Sequence, residues 1–246
     1  MRLHVLASGS SGNGYILYND REALVIECGV PYQSCLKVLK FQRGRIVGAL
    51  ISHEHGDHAK YVEQYLEAAV PVYASEGTVS QLSFKKKRRP EVVVANSVFC
   101  VGRFLVLPFD TQHDCKQPFG FLIRHPEMGQ AVFATDTYFL KNRFADLSHV
   151  MIECNYDDGI IDGNVKSGLV HPAVRDRVNQ SHMSLETCIK TLKANDLSKV
   201  NNIVLLHLSS KNSDPDMFRR AVEAETGKLV TVARKGVDIP FDKEVF

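Results

Sequence analysis

Residues 46–60, IVGALISHEHGDHAK, constrain this chain more than any other stretch. An apolar run with strand character leads straight into three histidines, an aspartate and a glutamate within six positions. Packing such groups together at a strand end is costly unless a counter-charge holds them. Before the helical pattern of AKYVEQYLEAA, they fall on a strand-to-helix loop, where alternating residues can converge on one point. Imidazole and carboxylate are good ligands for borderline divalent metals. The pattern H-x-H-x-D-H, formed by His53, His55, Asp57 and His58, therefore points to metal binding rather than to a polar loop.

The rest of the chain supplies a frame for that loop. RLHVLA and YILYN flank the turn-rich SGSSGNG as a hairpin, and EALVIECG reads as a third strand. PYQSCLKVL and EGTVSQL have the spacing of short helices, and VPVYAS that of a strand. EVVVAN, FLVLPFDTQH, FGFLIRH and QAVFATD form a strand-rich middle, followed by the strand HVMIECN. A loop of about twenty-five residues containing DDGIIDGN is expected next. SLETCIKTLKAN is an amphipathic helix, NNIVLLHLS a buried strand, DPDMFRRAVEAETG a helix with Asp214 as N-cap, and KLVTVA a last strand. Strand runs dominate both halves, without linker or repeat. The fold class expected is α/β: one αββα sandwich over 1–246, two mixed sheets flanked by helices.

Composition narrows the setting. The formal net charge of the 246-residue chain is +2, which commits it electrostatically to neither nucleic acid nor membrane. Six scattered cysteines without a C-x-x-C pair favour reduced thiols over a disulfide framework. The N-terminal apolar stretch is too short for a signal peptide and no segment approaches a membrane span, so a cytoplasmic protein is expected.

The sequence resembles the metallo-β-lactamase superfamily along essentially its whole length. That family's H-x-H-x-D-H motif stands intact at His53–His58. The resemblance implies that His53 and His55 bind one metal and Asp57 and His58 a second. It implies that DTQHDC supplies His113 to the first, FATDT a bridging Asp136, and LLHLSSKN His207 to the second. Two divalent ions, Zn(2+) or Mn(2+), would be the cofactors, and a metal-bridged hydroxide the nucleophile. Cysteine is expected to stay out of the ligand shell, although Cys115 lies two residues from His113. His4, His125, His149 and His171 have no comparable context.

ASGSSGNGYIL and SHMSLETCIKTL resemble a bacterial and phage branch that includes 5′-to-3′ DNA exonucleases, and more distantly the tRNA 3′-end nucleases. Carried over, His182 is a catalytic general acid or proton shuttle beside Asp57. Glu27 and Glu153 are candidates for supporting the ligands from behind. Glu27 departs from the family's usual aspartate, and Tyr138 from its usual glycine or leucine. Ser10, Ser11, Gly12 and Asn13 either bring backbone N–H groups to a phosphate or only close a hairpin. KKKRRP at 85–90 either tracks a nucleic-acid backbone or is a solvated loop. The expectation is a metal-dependent hydrolase, a phosphodiesterase or nuclease with DNA favoured over RNA as substrate. A thioesterase, lactonase or small-molecule phosphodiesterase on the same fold, or a metal-stabilised binding protein without turnover, are the rivals.

Overall fold

The computed structural model describes residues 1–244. Residues 245 and 246, the end of the single domain expected from sequence, lie outside the described part. β1 (Arg2–Ala7), β2 (Gly14–Tyr18) and β3 (Ala23–Ile26) form an antiparallel meander. Helix α1 (Tyr32–Val38) leads to β4 (Ile46–Leu50), parallel to β3. Helices α2 (Gly56–Ala59) and α3 (Val62–Glu67) precede β5 (Val72–Ala74), and α4 (Glu76–Gln81) precedes β6 (Glu91–Val92).

The second sheet begins with the antiparallel strands β7 (Phe99–Val101), β8 (Phe104–Asp110), β9 (Phe119–His125) and β10 (Gly129–Ala134). It continues with β11 (His149–Glu153), then α5 (Asp158–Lys166), α6 (Pro172–Ser181) and α7 (Leu185–Lys193). β12 (Asn202–Leu206), α8 (Pro215–Thr226) and β13 (Leu229–Val232) complete the parallel half, and β14 (Asp238–Pro240) crosses back to pair with β1. The orders are β14-β1-β2-β3-β4-β5-β6 and β13-β12-β11-β10-β9-β8-β7, two mixed seven-stranded sheets.

Three apolar layers follow from the strand patterns. Alternating residues of β1, β8, β9 and β10, among them Leu3, Phe104, Phe121 and Phe133, fill the space between the sheets. α1 and α3 cover the outer face of the first sheet through Leu36, Tyr65 and Leu66. α7 and α8 cover the second through Cys188, Leu192, Phe218 and Val222. β11 and β12 are buried along their whole length, as parallel strands under helices must be. This is the expected αββα sandwich. No helix among the described residues is long and apolar enough to cross a membrane.

Two stretches differ from the sequence reading. The expected long loop after HVMIECN is mostly two helices. Asp157 caps α5 by accepting from the Ile160 N–H, and His171 caps α6 ahead of Pro172 at its first turn. The glycines and polar residues there mark helix ends and an exposed face, not disordered connection. EVVVAN forms a strand only at Glu91–Val92, on a sheet edge where its side chains lack a covering layer.

His149 illustrates what burial does far from any cluster. Its ring stacks on Phe241 at 3.8 Å and 15°. Burial pushes its pKa down to about 4, so the folded protein holds it neutral. Between the unfolded value near 6.5 and the folded value, only the unfolded chain takes up the proton. Stability from this group is therefore full above about pH 6.5 and lost towards pH 4, by about 3 kcal/mol. Urea titrations should show the stability difference between the native chain and His149→Phe shrinking by that order from pH 7 to 4. A difference independent of pH would show that His149 is not held neutral.

Candidate metal centre

The histidine loop leaves the end of β4 and meets the ends of β8, β10, β11 and β12 from the other sheet. β10, β11 and β12 are mutually parallel, and β8 runs the same way as β10 because β9 opposes both. One end of the sandwich therefore gathers residues that are distant in sequence. Glu27, Asp136 and His207 each follow a strand end with positive φ, at 70°, 44° and 53°. Left-handed backbone at non-glycine residues costs of order 1–3 kcal/mol each. Here it turns each side chain inward from its strand. The N–H of His207 donates to Ser8 Oγ at 2.9 Å, which holds that turn.

Two groups of ligand atoms result. His53 Nε2 and His113 Nε2 lie 3.1 and 3.2 Å from His55 Nδ1. Asp57 Oδ2 lies 3.3 Å from both His58 Nε2 and His207 Nε2, and Asp136 Oδ2 lies 3.4 Å from His58 Nε2. Asp136 Oδ2 is also 3.7 Å from His113 Nε2 and 3.9 Å from His53 Nε2, so it stands between the groups. Ligands about 2.1 Å from one tetrahedral ion are about 3.4 Å apart. Facing ring nitrogens and carboxylate oxygens at that spacing fit divalent cations. The structure thus brings together all seven residues singled out for the two metals. Cys115 joins neither group.

The groups behind the ligands set their protonation. His113 Nδ1 donates to the Ser181 carbonyl at 2.8 Å, leaving Nε2 with its lone pair inward. Burial, reinforced by His58, holds His53 well below the ordinary histidine pKa, and burial also lowers His113. Burial opposes charge on His58 and His207, yet Asp136 raises both, with Glu27 adding to His58 and Asp57 to His207. His207 reaches about 10. Burial also opposes ionised Asp57 and Asp136, but their histidine neighbours hold both carboxyls well below the usual range. The carboxylates of the second group thus favour positive charge there, which a divalent ion would supply.

Glu27 is fully buried with Oε2 3.5 Å from His58 Nδ1, and it also accepts from the Ser52 N–H at 3.3 Å. A carboxylate behind a ligating imidazole orients the ring and raises its basicity. Two residues on, Gly29 lets the loops touch: a Cβ there would stand 1.7 Å from the Asp57 carbonyl oxygen. Glu153 is also buried. Its Oε2 accepts from the Thr137 and Met183 N–H groups, and its Oε1 lies 2.6 Å from His182 Nδ1. His182 ends α6 instead of beginning α7, and its ring stacks over His207 at 5.4 Å and 18°.

The glycine-rich turn divides. Ser10 lines the cleft above Asp57 and His207. Ser11 is exposed but lines neither the cleft nor its extension, and Gly12 is buried with φ 152° and no room for a side chain. Asn13, expected beside the substrate, is fully buried beneath the ligands. Its Nδ2 reaches His58 Nε2 at 3.0 Å and Asp57 Oδ2 at 3.2 Å, while its Oδ1 accepts from the Gly9 N–H. It positions the ligand loop, and the alternation of a strand entering the core was the signal available in sequence.

KKKRRP lies along α3 and leads into the start of β6, whereas the ligand loop leaves the opposite end of the parallel β4. Lys86 pairs with Glu67, and Arg88 donates to the Leu66 carbonyl. The run belongs to the helix surface, not to the cleft.

No family model matches the chain. It is 24% identical over 238 residues to exodeoxyribonuclease YycJ of Bacillus anthracis, covering 90% of this chain and 88% of that one. Exodeoxyribonuclease WalJ of Streptococcus pneumoniae is 24% identical over 225 residues, covering 85% and 82%. Among solved structures, the metallo-β-lactamase fold protein YhfI of Bacillus subtilis superposes with TM-score 0.74 at 15% identity, over 97% of this chain and 98% of that one. Zn(2+)-bound PqqB of Methylobacterium extorquens gives 0.73 at 14%, over 98% and 100%. The short form of human tRNase Z gives 0.62 at 17%, over 98% and 99%.

Proposed function

We propose that this chain, which has the metallo-β-lactamase fold, is a metal-dependent phosphodiesterase that cleaves DNA. The observation that carries the reading is the pair of ligand groups with Asp136 standing between them, and His182 held over them by Glu153. His53, His55 and His113 would hold one divalent ion, and Asp57, His58 and His207 the other, with Asp136 common to both. Zinc or manganese suits this nitrogen-and-oxygen set. Such ions supply Lewis acidity towards a phosphoryl oxygen and make water a nucleophile at neutral pH.

The chain's own residues do the rest. Asn13 and Glu27 hold Asp57 and His58 in place. Because Nδ1 of His182 faces the Glu153 carboxylate, Nε2 is the nitrogen left for the cleft that His182 lines. Burial opposes its charge, but Glu153 outweighs burial and raises its pKa. A protonated imidazole there can deliver a proton to the departing oxygen. Support for DNA comes from the curated relatives, which are named exodeoxyribonucleases.

The test is hydrolysis of end-labelled single- and double-stranded DNA and RNA by the purified protein with zinc or manganese. DNA cleavage abolished by chelation and restored by metal is the expected result. Turnover of thioesters or lactones without phosphodiester cleavage would overturn the reading.

A further inference from the structure

The cleft above the ligands continues past them. A cavity of about 360 Å³ over Asp57, His113 and Asp136 shares Ser10, Arg177, His182 and His207 with a second of about 330 Å³. The shared residues make them one groove. α6 forms one wall of the extension and the loop after β12, with Ser210 and Lys211, forms the other. The wall is partly apolar: Leu169 and Val174 are 70% and 46% exposed, and both line the extension.

Its charges are unspent. Arg175, pointing elsewhere on α6, pairs with Asp162 and Asp176. Neither Arg177 nor Lys211 has a carboxylate partner among the described residues, and both line the groove. The register of α6 is fixed against the ligands: the Ser181 carbonyl accepts from His113, and the Ser181 hydroxyl donates to the Arg177 carbonyl at 2.8 Å. Arg177 therefore stands one helical turn before the residue that abuts the site.

We propose that this extension seats the nucleotide next to the scissile phosphate of a single-stranded end. Arg177 binds its phosphate, Lys211 adds charge from the facing wall, and Leu169 and Val174 pack against the base. A guanidinium forks onto phosphate oxygens, and apolar surface accepts any base face. The volume is at the small end of ligand cavities, roughly 300–1,000 Å³, which suits one nucleotide. This inference rests on the phosphodiesterase reading above.

The test compares a 5′-phosphorylated, fluorescein-labelled oligothymidylate with bis(p-nitrophenyl) phosphate, using metal-loaded protein. For Arg177→Ala, the ratio of kcat/KM on the oligonucleotide to that on the small diester should fall at least about tenfold, mostly through KM. The salt dependence should become shallower by about one unit, and Arg177→Lys should restore part of the loss. Replacing Lys85, Lys86, Lys87, Arg88 and Arg89 with glutamine should leave oligonucleotide hydrolysis within about threefold, as screened distant charges would. Equal loss on both substrates for Arg177→Ala, or no loss, overturns the proposal. So does a larger effect from the 85–89 replacement. If the native protein hydrolyses neither substrate, the phosphodiesterase reading fails. Fluorescence anisotropy of the same oligonucleotide in calcium then decides the groove alone, with at least about tenfold weaker binding for Arg177→Ala required.

Discussion

Asp136→Ala should strip the protein of metal and lower phosphodiester turnover by a factor on the order of a thousand or more. Among the described residues, Asp136 is the one carboxylate with an oxygen within 4 Å of histidines from both ligand groups: His53, His58, His113 and His207. It is also buried among them, with a hydrogen bond from the Thr135 hydroxyl. Its removal would leave His58 and His207 with less counter-charge, and each added cation would face buried imidazoles without their shared anion. Asp136→Asn keeps the shape and removes the charge, so it should lose metal as well, while folding is followed by circular dichroism. Full metal content by elemental analysis in either variant would show that the two groups do not share Asp136.

How much of this was legible beforehand depended on whether a signal was local. His53, His55, Asp57 and His58 lie together in sequence directly after an apolar strand, so their convergence needed only one loop. His113, Asp136 and His207 are far apart in sequence, and it was the resemblance to the metallo-β-lactamase superfamily, with an apolar strand run before each, that pointed to them. What the sequence could not display was which side of a backbone faces what. Asn13 sits in a glycine-rich turn that looks open from composition, yet its alternation into β2 carries it under the ligands. The basic run is dense in sequence and distant in space, because the parallel strands place its loop at the end of the sheet away from the ligands. Arg177 had no signal at all until α6 existed. The polar, glycine-marked stretch from 157 to 181 reads as a loop, and only its caps and its hydrogen bond to His113 make it a wall.

His182→Ala should keep its metal and its fold while turnover falls roughly a hundredfold to ten-thousandfold, the usual worth of a positioned acid. The competing role is ligation, because Asp136, Glu153, His182 and His207 also place ligand atoms within 4.8 Å of one another. Metal content separates the two: loss of an equivalent from His182→Ala would make His182 a ligand and end its assignment as acid. Glu153→Gln sharpens the distinction. Glu153 acts on His182 through charge as well as a hydrogen bond, and together they raise the histidine against its burial. An amide carries no charge, and with its oxygen kept by the Thr137 and Met183 N–H groups its NH2 faces Nδ1, so the His182 pKa should drop. A general acid works only while protonated, and its contribution is lost as pH rises through its pKa. The alkaline limb of the kcat profile should therefore move to lower pH in Glu153→Gln, and this limb should be missing in His182→Ala. An unmoved limb would mean that another group supplies the proton, leaving the Glu153–His182 pair to hold α6 over the cleft.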